Sequence, residues 1–374
     1  MSGAMRGADR SDRASQIACE RPRGVVAAWA FDALGNRIVV VEVEPRWFAL
    51  DEARAAAWSA RARAVLGAGD GFDGAPGDQL LVCAREDGLA PGSRIAADDA
   101  DASDAPCDGD GDDGTRWRVR VYNRDGSRAG MCANGVRCVV ALGAREDGRE
   151  RAATVEVRRP RGGDDGASDA EDVGRVVRGW AVRAAGAVMV RTEMGRAVLD
   201  AAGVPFHAAA VVGIDDGVAR VDVGGEVGAH VGPSVGDTAG ISTWAHAVGF
   251  GNPHAVVWAE DGLACDEVHA RAAMIGPSVQ ATGVFPEGVN VTVASLDAAQ
   301  RRAAMGTFER GTGMTDACAS GACAAAVAAA TRVGRGTVEA VTRGGTLVLR
   351  VGGDGNGYEV DASGPVTLRG RVDV

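Results

Sequence analysis

The sequence predicts a mixed α/β protein built from two similar halves, and three observations carry that expectation. Short β-rich runs alternate with a few Ala/Val-rich helical segments along the chain. At 374 residues the chain is long enough for two separate cores, since a single core stops growing at about 250–300 residues. Two stretches also look like copies of one another. Asn123-Arg124-Asp125-Gly126-Ser127 runs on to Cys132-Ala133-Asn134-Gly135, and Glu309-Arg310-Gly311 runs on to Cys318-Ala319-Ser320-Gly321, with Asn123 and Glu309 equally far ahead of their cysteines.

Taken in order, residues 1–23 are polar, have no apolar core of a secretion signal and read as a disordered tail. Structure is expected to begin near Gly24, where Val25-Val26-Ala27 and Ile38-Val39-Val40-Val41 are β-rich runs around a turn at Gly35-Asn36. Asp51 to Val65 is Ala-rich and helical in pattern. Residues 84–114 form an acidic insertion, dominated by aspartate from Asp98 to Asp113 but without the ligand-Gly-Glu spacing of an EF-hand loop. A β-rich stretch from Thr154 to Met194 is interrupted by a polar insertion at 161–174. After Gly195 come further strands, a Gly-rich stretch from Gly224 to Gly240, the second cysteine segment, and strand-like runs at Thr346–Val351 and Val366–Arg369. The expected domains are therefore 24–194 and 195–361.

Bulk properties remove several function classes. A formal charge of −11 argues against nucleic acid and anionic membranes as partners, and no apolar run is long enough to span a bilayer. Without a secretion signal the expected location is the cytoplasm, where eight cysteines are better read as free thiols than as disulfides. Cys132 and Cys138, like Cys318 and Cys323, are spaced so that the members of each pair point to different faces of a helix, which disfavours chelation; no metal is expected. The chain has no lysine, its forty basic residues all being arginine, so neither a pyridoxal-phosphate Schiff base nor a phosphate loop with its lysine is available.

Each matched cysteine opens a segment of helical composition, so each sulfur should sit at the positive end of a helix, a position that favours a thiolate. A single buried cysteine more often just packs. Two in matched contexts suggest two thiols facing one carbon from opposite sides, one removing a proton and the other returning one, as a racemase or epimerase requires.

Met131-Cys132-Ala133-Asn134-Gly135-Val136-Arg137-Cys138 and Glu309-Arg310-Gly311 with Cys318-Ala319-Ser320-Gly321-Ala322-Cys323 closely resemble the two signature blocks of the diaminopimelate epimerases. Weaker blocks fall between them in the family's order: Leu34-Gly35-Asn36, Asp78-Gln79-Leu80-Leu81, Gly251-Asn252-Pro253-His254 and Phe285-Pro286-Glu287-Gly288-Val289-Asn290. The resemblance implies a cofactor-independent epimerase interconverting LL- and meso-diaminopimelate, on the path to lysine and peptidoglycan. It implies two pseudo-symmetric domains, each a largely antiparallel sheet wrapped around a central helix, with the substrate in the cleft between them. Residues 362–374 would return to complete the first domain, and a homodimer is possible.

Carried onto this chain, the resemblance makes Cys132 and Cys318 the acid–base pair, with His254 and Glu309 adjusting their pKa values. Backbone N–H groups of Ala133, Asn134, Ala319 and Ser320 would hold the α-carboxylate. Asn36, Gln79, Asn123, Asn252, Asn290, Glu309 and Arg310 would hold the rest of the substrate, Arg310 taking the distal carboxylate. Three departures stand out: Ala133 and Ala319 follow the cysteines where glycine is typical, Arg37 replaces an acidic residue, and Gly364 to Val374 lacks the aromatic residue often found at the family's dimer contact. The nearest alternatives are a proline, hydroxyproline or histidine racemase of the same superfamily, although proline-racemase types usually carry histidine where this chain has Asn134. A non-catalytic amino-acid-binding protein and a Cys132/Cys318 redox switch are the readings from other classes.

Overall fold

The computed structural model describes residues 24–48, 52–69, 71–86, 114–144, 146–159, 173–184, 187–224, 241–354 and 357–374. The N-terminal tail, nearly all of the acidic insertion and most of the polar insertion and of the Gly-rich stretch lie outside them.

Strands β1 (Val25–Ala33) and β2 (Asn36–Val43) form a hairpin. Its two-residue turn is Leu34-Gly35, with φ of 59° and 79°, one residue earlier than the sequence suggests. Both central residues of such a turn need the left-handed conformation, which Gly35 adopts without strain. Helix α1 (Glu52–Ala68) precedes β3 (Gln79–Arg85), which lies parallel to β2. Next come β4 (Thr115–Asn123), antiparallel to β3, and short β5 (Arg128–Ala129). Helix α2 (Ala133–Ala141) leads to β6 (Arg151–Arg159), parallel to β4, and then β7 (Val173–Ala184) and β8 (Ala187–Arg196) follow antiparallel.

After the ribbon β9 (Val211–Asp215) and β10 (Val218–Asp222), the same succession recurs. Strands β11 (Ile241–Gly249) and β12 (Pro253–Ala259) pair antiparallel, helix α3 (Cys265–Ala281) follows, and β13 (Asn290–Asp297) lies parallel to β12. Then β14 (Arg302–Glu309), β15 (Gly313–Thr315), helix α4 (Ala319–Val333), β16 (Gly336–Thr342) parallel to β14, β17 (Gly345–Gly352) and β18 (Glu359–Arg371) complete the chain. Strand β18 pairs along its first part with β8 and along its last part with β1, Phe31 opposite Leu368.

Burial explains this arrangement. Every residue of α2 is buried, as is α4 from Ala319 to Ala330, and a helix apolar on all sides must be enclosed. Helix α2 touches β1, β2, β3, β6, β7, β8 and β18; α4 touches β11 to β14 and β16 to β18. The strands between an inner and an outer helix are covered on both faces, so they read as unbroken apolar runs rather than alternating ones. Ile38 and Val40 pack with Val136 and Val140 of α2, while Val39 and Val41 pack with Trp58, Ala62 and Leu66 of α1. Val256 and Ala294 pack with the alanines of α4, and Val257 and Val291 with Val268, Ala272 and Ile275 of α3. Each valine fully buried in this way contributes about 1.5–3 kcal/mol relative to exposure.

Candidate active site

The two marked cysteines occupy equivalent positions. Cys132 is the N-cap of α2 with φ −135° and ψ 101°, and Cys318 is the N-cap of α4 with φ −126° and ψ 107°. Each carbonyl accepts the first intrahelical bond at 2.9 Å, from Val136 and from Ala322. That leaves the N–H groups of Ala133, Asn134, Ala319 and Ser320 among the donors a helix cannot satisfy itself. The glycine three residues after each cysteine is required by packing. A Cβ on Gly135 would lie 2.7 Å from Leu81 Cδ2 and 3.2 Å from Cys132 Sγ, and one on Gly321 would lie 2.9 Å from the hydroxyls of both Thr292 and Thr307.

The thiols differ in what surrounds them. Cys132 is half-buried and its sulfur accepts from Gly135 N at 3.1 Å. Burial pushes its pKa up to about 12, with the Gly135 N–H opposing and the Glu309 carboxylate adding. Cys318 is buried and lies 3.5 Å from Ser320 Oγ; burial first and Glu309 second raise its thiol well above the ordinary range. At both sulfurs, then, desolvation opposes the thiolate that a helix start favours.

Glu309, at the end of β14, is itself raised by burial, while hydrogen bonds from Thr315, at 2.6 Å, and Cys318 oppose that rise. His254, fully buried at the start of β12, contacts Asn252 Oδ1 at 3.1 Å and Ser320 Oγ at 3.0 Å through Nε2, and its Nδ1 has no partner among the described residues. Burial, helped by Arg310, lowers its pKa to about 3, so the ring is neutral. His254 reaches Cys318 through the Ser320 hydroxyl rather than directly.

The polar set comes from equivalent strand ends. Gln79 pairs with Asn123 across β3 and β4, its amide donating to Asn123 Oδ1 at 3.3 Å, and Asn123 donates on to Ser127 Oγ at 3.0 Å. On the other side His254 pairs with Asn290, whose Oδ1 accepts the Arg310 backbone N–H at 2.8 Å. The Arg310 side chain is exposed and donates to the Glu287 carbonyl. Asn36 links the two sets, its Nδ2 donating at 2.7 Å to the carbonyl of Ala317, the residue before Cys318. Glu309 raises both thiols, and Cys132 adds to the rise at Cys318.

The family model for diaminopimelate epimerase matches residues 246–368. A diaminopimelate epimerase from Nitrobacter hamburgensis is 33% identical over 331 residues, spanning 87% of this chain and 89% of the relative. One from Neisseria meningitidis is 30% identical over 339 residues, spanning 86% and 90%. The chain belongs to the diaminopimelate epimerase family. It is accordingly an isomerase, an amino-acid epimerase of this superfamily. A solved phenazine biosynthesis protein of the PhzF family from Bacillus anthracis shares the fold, with a TM-score of 0.50 at 12% identity over 94% of this chain and 99% of that one.

Within the diaminopimelate epimerase family pattern, the two departures next to the cysteines are accommodated: the Ala133 and Ala319 side chains are buried in the core beside their helices. Arg37, the departure that changes charge, is paired with Asp78, which also accepts the Arg37 backbone N–H at 2.8 Å and an Arg124 guanidinium bond at 2.7 Å. Asp78, marked in the sequence only as part of the block with Gln79, has a charge that raises both Cys132 and Glu309. Its signal was its place beside Gln79. Thr315, which holds Glu309, carries no motif of its own. Among the described residues no helix is long and apolar enough to cross a membrane.

Proposed function

We propose that this chain interconverts LL- and meso-2,6-diaminopimelate without a cofactor, using Cys132 and Cys318 as the two acid–base groups. The observation that carries the reading is the equivalence of the two thiols: same helix position, near-identical backbone angles and the same glycine three residues on. One thiol, as thiolate, removes the α-proton, and the other delivers a proton to the opposite face; the roles exchange with direction. An α-proton of an amino acid is very weakly acidic, so the developing negative charge has to be met by preorganised donors. Two helix N-termini, through the N–H groups of Ala133, Asn134, Ala319 and Ser320, supply them to the α-carboxylate. Closure over the substrate excludes water and strengthens those interactions.

In this reading residues 24–194 and 195–361 are two pseudo-symmetric domains, each a sheet around its central helix, with 362–374 completing the first and the substrate between them. The recurrence of strand order and the pairing of β18 with β1 support it. Arg310, which pairs with no carboxylate among the described residues, offers a bidentate fork for the distal carboxylate, and Asn36, Gln79, Asn123, Asn252, Asn290 and Glu309 hold the remaining polar groups. Glu309 adjusts Cys318 by contact and His254 does so through Ser320. The product serves lysine and peptidoglycan synthesis, as the family name implies.

The test is α-proton exchange in D2O, followed by proton NMR, with LL-diaminopimelate, proline, hydroxyproline and histidine offered separately. Exchange and epimerisation of diaminopimelate alone supports the assignment. Exchange of a monocarboxylic amino acid with diaminopimelate inert overturns the substrate and retains the chemistry.

A further inference from the structure

Arg137 is among the largest completely buried side chains in the protein, with 0% exposure in the middle of α2. A buried guanidinium ordinarily has a carboxylate partner. Among the described residues this one has none within ion-pair distance. Nη1 donates to Asn134 Oδ1 at 3.0 Å, Nη2 donates to the Pro365 carbonyl of β18 at 2.6 Å, and Nε has no partner. Room for the group is made by Gly364, where a Cβ would lie 3.0 Å from Nη2. The titratable groups that face the guanidinium are three thiols, Cys138 and Cys132 of its own helix and Cys323 of α4. Burial lowers its pKa only to about 10, so it is charged at neutral pH.

An uncompensated buried cation is costly to keep. Its two contacts show what it holds. Asn134 is the second residue of α2, and an arginine can only donate, so the Asn134 oxygen is committed to the guanidinium. The carboxamide is left with Nδ2 as its available donor, beside the N–H groups at the helix start. Cys132, which caps the same helix, also faces the Glu309 and Asp78 carboxylates, both of which oppose its ionisation. Arg137 is the one positive group set against them from within the helix.

We propose that Arg137 is a positioning residue for the epimerisation: it locks the Asn134 carboxamide with Nδ2 outward and keeps a buried positive charge in the helix that Cys132 caps, where it favours the thiolate when the reaction needs it. The inference rests on Cys132 being an acid–base group. It assigns the arginine of the first signature block a task that is electrostatic as well as structural, bridging α2 to β18.

Arg137→Met removes the charge at similar length, and Arg137→Lys keeps the charge but cannot span Asn134 and Pro365 together. Alkylation of Cys132 by iodoacetamide at a fixed pH near ~9, read by peptide mass spectrometry, reports its thiolate fraction. The expected result for Arg137→Met is an alkylation rate lower by about tenfold, the equivalent of one pK unit. Its kcat should fall about 10²-fold with KM changed less. Arg137→Lys should alkylate at the wild-type rate yet lose about tenfold in kcat, because the carboxamide is no longer locked. Wild-type kcat in Arg137→Lys, or a folded Arg137→Met with wild-type alkylation and kcat, overturns the proposal. If Arg137→Met does not fold, the Arg137→Lys result alone decides between these outcomes. Cys132→Ala run alongside separates the two claims: an active Cys132→Ala removes the two-thiol reading itself, whereas an inactive one beside a wild-type-like Arg137→Lys removes only the role of Arg137.

Discussion

The first turns of α2 and α4 share a backbone and differ in chemistry. Helix α2 has nine residues, carries valines and the buried Arg137, and its N-cap sulfur accepts the Gly135 N–H. Helix α4 has fifteen residues, is mostly alanine over its buried length, and its N-cap sulfur sits beside a hydroxyl and a carboxylate. The repeated cysteine context goes with the shared backbone, and the differences make the two thiols unequal. A base and an acid required at the same instant on opposite faces of one carbon need that inequality. Burial first and Glu309 second raise the Cys318 thiol while Ser320 opposes them, whereas Cys132 is the more exposed sulfur and the one with a buried cation in its helix.

The comparison breaks most completely at the sulfurs. Cys132→Ala and Cys318→Ala should each reduce epimerisation by about 10³-fold or more, since each removes an acid in one direction and a base in the other. Steady-state assays from both isomers check this, and activity retained by either variant ends the equivalence. Glu309→Gln comes next. Removing its charge should lower the Cys318 pKa and speed alkylation of that thiol, while turnover falls about 10²-fold; the two readouts moving together would contradict the tuning role.

Gly321→Ala tests the shared backbone. Its methyl meets the Thr292 and Thr307 hydroxyls, which bond each other at 3.1 Å, and should cost about 1–3 kcal/mol in urea-induced unfolding. The smallest expected effect concerns pH. His254 is held at about 3, below its ordinary value near ~6.5, so the unfolded chain takes up a proton that the native ring does not. Its contribution to stability is complete above the unfolded value and is lost as pH falls toward the folded one. Thermal unfolding of His254→Gln should depend less steeply on pH than wild type between about 6.5 and 3; parallel slopes would contradict the buried neutral ring.

Much of this was legible in the sequence for physical reasons. The cysteine segments gave both inner helices because their alanines and valines have no polar face, and Ile38 to Val41 read as a strand because both of its faces are covered. Helix α3 was not legible: its apolar positions are few, and Pro277 lies inside it. Register hid other features. The hairpin turn fell one residue early, and Asp78 meets Arg37 only because β2 and β3 run parallel. The desolvation that raises both thiols was not legible from the helix start alone, since burial is a property of the packed molecule.

The most direct test of the two-thiol account is the fate of the α-proton during the first few per cent of conversion in D2O, starting separately from the LL and the meso isomer. Two opposed thiols predict product carrying deuterium at the inverted carbon and remaining substrate still protonated, in both directions. Product that keeps the original proton would mean that one group serves both faces, and the account would be wrong.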